Sequence, residues 1–337
     1  MPTLSQVRQS NTALGAQRQK MVAVFVGGTS GIGEATAKQM ALAVKQPTIH
    51  LVGRNPASGS RVLEELRASN PNGSFHFIQS DVSLLRSVDK ACAEIAEITD
   101  KEKQIDLLFM STGHLSLSKN ETDEGLDDNH ALRYYSRMRF VQNLMPLLSA
   151  SPGPARVVSI LAGGQEGTIE EDNFDLTKSW TFSKSNTYAA TLNSLAIEHL
   201  ATAHPTVSFL HVFPGIVRTP LMNTTFGNFG GAILSFLSRP ISITPEESGE
   251  RNLFLSTSAA YPPATPKDPS HLGVPLVKGV DTAPASTGKI GGGSYILKYD
   301  GSNATREKLM ADYRARSFPG KVWNHTLETF KRVLRSD

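Results

Sequence analysis

Residues 26 to 33 read Val26-Gly27-Gly28-Thr29-Ser30-Gly31-Ile32-Gly33. The run follows an apolar segment of strand composition, Met21–Gly27, and opens a helical pattern over Ile32–Val44. Strand, glycine-rich turn and helix in that order make the first half of a parallel crossover unit. Glycines let the backbone turn sharply and approach a pyrophosphate, which then rests on the positive end of the helix. Glycines also serve ordinary tight turns, so the order of the elements carries the reading. It predicts a dinucleotide site on Gly27, Thr29, Ser30, Gly31, Ile32 and Gly33.

The rest of the chain keeps the alternation that such a unit requires. Strand-like runs are expected at Thr48–Gly53, Ser74–Ser80, Ile105–Met110, Arg156–Leu161 and Val207–Phe213. Most are nearly continuous apolar runs, as in strands covered on both faces of a parallel sheet. Helical patterns fall between them at Ser58–Ala68, Leu84–Ile98, Leu126–Leu148 and Phe182–Thr202, with apolar residues three and four apart, as in Leu192, Leu195, Ala196 and Leu200. The fold class is therefore α/β, a doubly wound parallel sheet (Rossmann-like), in a single domain with a lid insertion and a C-terminal extension. The expected division is an N-terminal arm (1–20), a dinucleotide-binding core (21–220), a lid or loop region (221–290), and a last strand with a helical tail (291–337). Within these, a helix is expected from Pro245 to about Leu255 and a long surface loop over 257–292. A strand is expected at Ser294–Tyr299, and tail helix from Ala304 to Val333, interrupted at Pro319.

Charge and cysteine content limit the partners. The chain has 34 Lys and Arg against 31 Asp and Glu among 337 residues, a net of +3, without a basic run. No nucleic-acid or membrane-surface partner is expected. The single cysteine, Cys92, cannot form an internal disulfide, which suits a reducing compartment. The first twenty residues have no apolar leader core and no apolar run is long enough for a transmembrane helix, so a cytoplasmic protein is expected.

The spacing of Gly27, Gly31 and Gly33 resembles that of the short-chain dehydrogenase/reductase family. The resemblance spans about residues 21–220 and extends to other landmarks. Asp81-Val82 stands where the family places an aspartate against the adenine. Pro214-Gly215, followed by Thr219, matches the pair that holds the nicotinamide end. At the end of the second strand, Leu51-Val52-Gly53-Arg54-Asn55 offers an arginine where an NAD enzyme places an acid. A guanidinium pairs with a 2′-phosphate that an aspartate would repel, so Arg54 and Asn55, with the hydroxyls of Thr29 and Ser30, point to NADP(H). Arg54 as a plain solvated strand-end cation is the competing reading.

The resemblance fails where the family keeps its chemistry. It implies a tyrosine acid/base, a lysine four residues on that lowers the tyrosine pKa and binds ribose, a serine on the substrate oxygen and a relay asparagine. No Tyr-x-x-x-Lys occurs here. The matching segment puts Trp180 at the tyrosine and keeps Lys184, or, one residue on, puts Thr181 and Ser185 there. Ala162 stands at the serine and Arg133 at or near the asparagine, with Ser159 read as a packed core hydroxyl. Substitute candidates are Tyr188, one turn after Lys184 and so within reach of its charge, Tyr134 and Tyr135 on the fourth helix beside Arg133, and His114 after the fourth strand. Packing is the alternative for Tyr188, solvation for His114, and core for Tyr134 and Tyr135. Glu166, Glu170, Glu171 and Asp172 lack the spacing of a zinc site and read as a solvated loop.

The catalytic candidates are thus Lys184 and Tyr188. The cofactor-binding candidates are Gly27, Thr29, Ser30, Gly31, Ile32, Gly33, Arg54, Asn55, Asp81, Lys184, Pro214, Gly215 and Thr219, with no metal. Segments such as Tyr134-Tyr135-Ser136-Arg137-Met138-Arg139-Phe140 and Gly291-Gly292-Gly293-Ser294-Tyr295 are similar to divergent fungal members of the family, many of them tied to secondary metabolism. The expected function is an NADP(H)-dependent oxidoreductase acting on a carbonyl or alcohol of a bulky apolar metabolite, with Phe226, Phe229, Leu234 and Phe236 of the lid lining its pocket. Two rivals stand beside it: a non-redox cyclisation, isomerisation or dehydration on the same fold, and a non-catalytic nucleotide-binding interaction protein. The long fourth and fifth helices suggest a homodimer, which the tail would block or replace.

Overall fold

A computed structural model of the chain describes residues 1–113, 116, 118–218 and 242–335. Seven strands form one sheet: β1 (Lys20–Val26), β2 (Gln46–Gly53), β3 (Ser74–Gln79), β4 (Leu107–Met110), β5 (Ala155–Ile160), β6 (Val207–Phe213) and β7 (Ser294–Lys298). Their order is β3-β2-β1-β4-β5-β6-β7, and every pairing is parallel. All the expected strands are present, each boundary within a residue or two of the sequence reading. The chain winds outward from β1 to β3, then returns to place β4 on the other side of β1. The first crossovers thus diverge at β1, and the crevice between its neighbouring loops opens at the carboxyl ends of the strands.

Both faces of the sheet are covered. The main helices are α1 (Leu4–Gln17), α2 (Gly31–Ala43), α3 (Pro56–Ser69), α4 (Leu85–Ile98), α5 (Ser136–Ser149), α6 (Phe182–Ala203), α7 (Pro245–Thr257), α8 (Glu307–Ala315) and α9 (Phe318–Leu334). Buried residues of α1, α2, α3 and α7 form one core with Phe25, Leu51, Phe109 and Leu210. Those of α4, α5, α6, α8 and α9 form the other with Val24, Val52, Leu108 and Phe209. Neighbours such as Leu107 and Leu108 go to opposite cores because successive strand side chains alternate, which is why the strands are mostly apolar.

Four expectations are corrected. The N-terminal arm is helix α1, closed by a Thr3 and Gln6 capping box. Its buried residues Val7, Ser10, Asn11 and Leu14 lie at helical spacing and pack on α2 and α7. Only two of the four are apolar, so the amphipathic signal was too weak to read. The segment expected as one helix over 126–148 is broken into a short turn (Asp128–His130), a π-helical stretch (Ala131–Tyr135) and α5. The tail breaks at Ser317, whose φ is 58°, and Pro319 lies in the first turn of α9, where its missing N–H costs nothing.

The fourth correction concerns the lid. Phe226, Phe229, Leu234 and Phe236 lie outside the described residues. Residues 258–290 are not a surface loop, for Ala260, Tyr261, Val274 and Ala285 are buried. They wrap the amino ends of the strands, away from the crevice. Arg156, near the start of β5 and fully buried, donates to the carbonyls of Leu255, Ser258 and Leu272. A Pro-, Ser- and Gly-rich composition marks irregular backbone, but not whether its carbonyls meet water or a buried cation.

Helix α6 is buried almost all round, with every residue from Tyr188 to Ala201 except His199 inaccessible. The sheet covers one side and α9 the other, where Trp323 stacks on His199 with ring centroids 5.6 Å apart. Tyr134 and Tyr135 are core residues, as expected, and bond Thr326 and His325 of α9 at 2.6 and 2.8 Å. Among the described residues no helix is long and apolar enough to cross a membrane.

Helix α1 is integral to this packing. Leu14, 1% exposed, is expected to cost about 2–5 kcal/mol of unfolding free energy when replaced by Ala, measured by urea denaturation, whereas a dispensable arm would show almost no change.

Candidate functional site

The glycine turn sits where β1 meets its crevice. Gly27 and Gly31 have φ of +84° and +59°, a region that favours glycine. At Gly33 the requirement is space: a Cβ there would lie 2.4 Å from the Gly27 carbonyl oxygen and 2.6 Å from Ser111 Oγ. Ser30 is the N-cap of α2, yet its side chain makes no capping hydrogen bond. The first N–H groups of α2 are therefore open to an anion, at the end where the helix dipole favours one. Glu34, in that first turn, is bound by Lys38 at 2.6 Å and Arg61 at 2.7 Å. Burial pushes its carboxyl up, but the hydrogen bonds from these two cations prevail and hold it below the usual range.

The other cofactor candidates lie along the same edge. Arg54 and Asn55 are exposed just past β2. The Asn55 side chain caps α3 by accepting from Ser58 N at 3.1 Å. Asp81 is exposed after β3, its carboxylate taking bonds from the backbone and hydroxyl of Ser83. Pro214 and Gly215 follow β6, and Gly215 has φ of +69°. Thr219 and His114 lie outside the described residues. Thr112, two residues past β4, packs against the glycine turn, where a Cβ on Gly27 would come within 2.9 Å of its nitrogen. Its buried Oγ1 has no hydrogen-bond partner among the described residues. Open N–H groups, a cradle without side chains and an unpaired hydroxyl fit a bound dinucleotide phosphate.

The catalytic candidates turn out differently. Lys184 donates to Glu170 Oε1 at 2.9 Å and Ser179 Oγ at 2.8 Å. Tyr188 is 1% exposed, and its hydroxyl accepts from the Glu170 backbone at 2.9 Å. Burial raises its pKa by more than the Lys184 charge lowers it. Tyr188 is thus a packing residue that pins the loop after β5, not an activated acid. Trp180 is partly buried, and its indole N–H has no partner among the described residues. The Ala162 backbone N–H, at the position of the family's serine, donates to His211 Nε2 at 3.1 Å.

That last bond belongs to a relay the sequence reading missed. With Nε2 accepting, Nδ1 of His211 carries the proton and donates to Ser194 Oγ at 2.8 Å. Ser194 then donates to Glu166 Oε1 at 2.7 Å, which also takes the Gly164 N–H. Glu166 is fully buried, not solvated as expected, and burial raises its pKa. The tail completes the clamp: Arg306 donates to the Glu166 carbonyl, and the Tyr313 hydroxyl bridges Ile169 N and Gly167 O, each at 2.9 Å.

A second missed group is Arg137, 1% exposed. It donates to Ser159 Oγ at 2.6 Å, Ile160 O at 2.9 Å and Thr112 O at 2.5 Å, joining the carboxyl ends of β4 and β5. Ser159, a core hydroxyl as expected, donates onward to Asn193 Oδ1 at 3.1 Å. Arg133, one turn earlier and 5% exposed, donates to Asn186 Oδ1 at 2.7 Å. Signals existed for both missed groups. Arg137 falls on the stripe of Val141, Leu144 and Leu148, and His211 interrupts a strand that must be buried on both faces. A charged or titratable residue in a core pattern marks a buried polar contact, though not its partner.

A family profile described as short chain dehydrogenase matches residues 21–228. The chain is 49% identical over 336 residues to oxidoreductase andH of Emericella variicolor, covering 100% of this chain and 99% of that one. L-sorbose reductase from Gluconobacter frateurii, solved with NADPH and L-sorbose, is similar at TM-score 0.55 and 20% identity, covering 71% of this chain and 90% of that one. The MalC reductase/Diels-Alderase of Malbranchea aurantiaca is similar at TM-score 0.56 and 17% identity, covering 73% and 92%. The likenesses to solved structures show the fold.

Burial lowers the His211 pKa to about 3, with the Arg137 charge adding to the effect. The native state holds it neutral, so its contribution to stability is present above about pH 6.5 and is lost as pH falls toward 3. In His211→Gln, urea unfolding at a series of pH values between about 6 and 4 should show one proton fewer taken up, a slope shallower by about 1.4 kcal/mol per pH unit. An unchanged slope would mean that His211 is already charged in the native protein.

Proposed function

Because the chain belongs to the short-chain dehydrogenase/reductase family, we propose that it binds NADP(H) across the carboxyl edge of its sheet and transfers hydride to or from a carbonyl or alcohol carbon. The proposed substrate is a bulky, apolar secondary metabolite. One observation carries the reading: the uncapped amino end of α2, with Gly27, Gly31 and Gly33, lies at the crevice beside β1. There the pyrophosphate takes the open N–H groups, Arg54 with Thr29, Ser30 and Asn55 takes the 2′-phosphate, and Asp81 lies on the adenine side. Pro214 and Gly215 flank the nicotinamide end, and Lys184 holds the ribose. When bound, the dinucleotide supplies or accepts the hydride.

The protein's own part in the chemistry is to orient the substrate oxygen. An indole N–H donates a hydrogen bond but no proton at neutral pH, so the N–H of Trp180, buried and without a partner among the described residues, would position the oxygen once uncovered. The proton of the alcohol then comes from solvent or from the Lys184 ammonium. Tyr188 takes no part in proton transfer.

A second reading is non-redox: a cyclisation, isomerisation or dehydration in the same crevice. It is favoured by Trp180 and Ala162 standing where the family keeps its acid and its hydroxyl. Substrate turnover without NADPH consumption would select it, and nucleotide binding without turnover would select an interaction protein. We further propose a cytoplasmic protein without nucleic-acid partners. If two copies pair, they do so through a face other than the one α9 covers on α6.

NADPH should raise the melting temperature, by an amount corresponding to about 2.7 kcal/mol at a hundredfold excess over Kd. Arg54→Ala should weaken NADPH about tenfold or more and leave NADH unchanged, and Gly33→Val should abolish both. Absence of any shift would overturn the nucleotide reading, and equal weakening of NADPH and NADH would remove Arg54 from the 2′-phosphate.

A further inference from the structure

Arg137 is buried, and among the described residues it has no counter-ion. Its guanidinium has close contacts with Ser159 Oγ, Ile160 O and Thr112 O, and longer ones with Met110 O at 3.4 Å and Leu132 O at 3.5 Å. All five acceptors are uncharged. Among the described residues no carboxylate supports the cation: burial, then repulsion from Arg133, brings its pKa down to about 9. It is still protonated at neutral pH, held by hydroxyl and carbonyl dipoles alone. Removing a charge from water without pairing it is costly, and packing of α5 against the sheet does not by itself require one.

The position of this charge suggests what it does. Met110 and Ile160 end β4 and β5, and Thr112 packs against Gly27 in the glycine turn. The cation therefore lies just behind the crevice edge that the proposed dinucleotide crosses, with Arg133 a second buried cation on the same helical face. In a low-dielectric, water-poor setting such a field acts on any charge along that edge. The two redox forms of a nicotinamide differ in that respect: the oxidised ring carries a positive charge and the reduced ring is neutral.

Resting on the nucleotide reading above, we infer that Arg137, reinforced by Arg133, makes the crevice select the reduced dinucleotide over the oxidised one. The site takes up the reduced form and releases the oxidised form, so the protein works as a reductase and not as an alcohol dehydrogenase. In one turnover hydride leaves the neutral ring for the carbonyl carbon, the ring becomes cationic, and the substrate oxygen takes a proton from solvent. The same field favours the negative charge that develops on that oxygen. Arg137 touches neither partner and is a positioning charge, not a catalytic residue.

The test is equilibrium binding, by calorimetry, of NADPH, NADP+ and 2′-phospho-ADP-ribose, which has the phosphates but no nicotinamide. A unit charge acting over about 10 Å through an effective dielectric of about 20 shifts a binding constant by roughly tenfold. Wild type should therefore bind NADPH about tenfold more tightly than NADP+. In Arg137→Gln that ratio should fall to about one while the ring-less ligand binds as before, and Arg137→Lys should keep the preference. A structural role alone would weaken all three ligands together. A wild-type ratio at or below one, or a ratio retained in Arg137→Gln, overturns the inference while leaving the nucleotide reading intact. Failure of all three ligands to bind overturns that reading, and this inference with it. Should Arg137→Gln not fold, the wild-type ratio and its reduction in Arg133→Gln decide.

Discussion

A parallel sheet gathers the carbonyls of all its strand ends along one edge, and in this protein a single buried guanidinium takes up those of β4 and β5. Arg137 reaches from α5 to Ile160 and Thr112, with Ser159 between them. Met110 pairs with Ser159 in the sheet, and the guanidinium donates to both, at the Met110 carbonyl and the Ser159 hydroxyl. Arg156 does the comparable work near the opposite edge, drawing the strap after α7 onto the amino ends of the strands. Neither guanidinium has a carboxylate partner in these contacts. Each costs desolvation energy, which the carbonyl dipoles offset only when the geometry is held closely. That requirement ties the irregular segments to the sheet.

The chemistry-bearing loop after β5 is held in a similar way. Family members use this region for the serine and the tyrosine. Here the Ala162 N–H is committed to His211, Glu166 is buried at the end of the His211–Ser194 relay, and the Tyr188 hydroxyl is fixed on Glu170 N. The C-terminal extension supplies Tyr313 and Arg306 to the same loop. A loop so restrained is preorganised, and it carries Trp180 and Ala162 in place of the family's tyrosine and serine. The glycine turn of the family pattern is thus present, while the region after β5 is built around buried polar contacts. Both the redox and the non-redox readings have to work within that arrangement.

The parallel sheet, its strands and the glycine turn were legible because they depend on local pattern. Short continuous apolar runs bounded by turn residues fit strands buried on both sides, and Gly27, Gly31 and Gly33 meet backbone requirements that short-range sterics impose. Tyr134, Tyr135 and Ser159 were correctly read as core. Helix α1 was missed because polar Ser10 and Asn11 occupy half of its buried face, and the strap was misjudged because composition reports backbone irregularity, not exposure. Tyr188 was left between packing and catalysis, and Glu166 was misjudged, for a different reason. A residue's ionisation depends on its burial and on partners far along the chain, Glu170 for one and Ser194 with His211 for the other, and spacing carries neither. The sequence by itself determined the order of strands and helices and where a phosphate can meet a helix, because these follow from nearest-neighbour stereochemistry. Only the tertiary structure decided where Arg137 puts its charge and which titratable groups lose contact with water, because electrostatic energy depends on distance through the folded protein and not on separation along the chain.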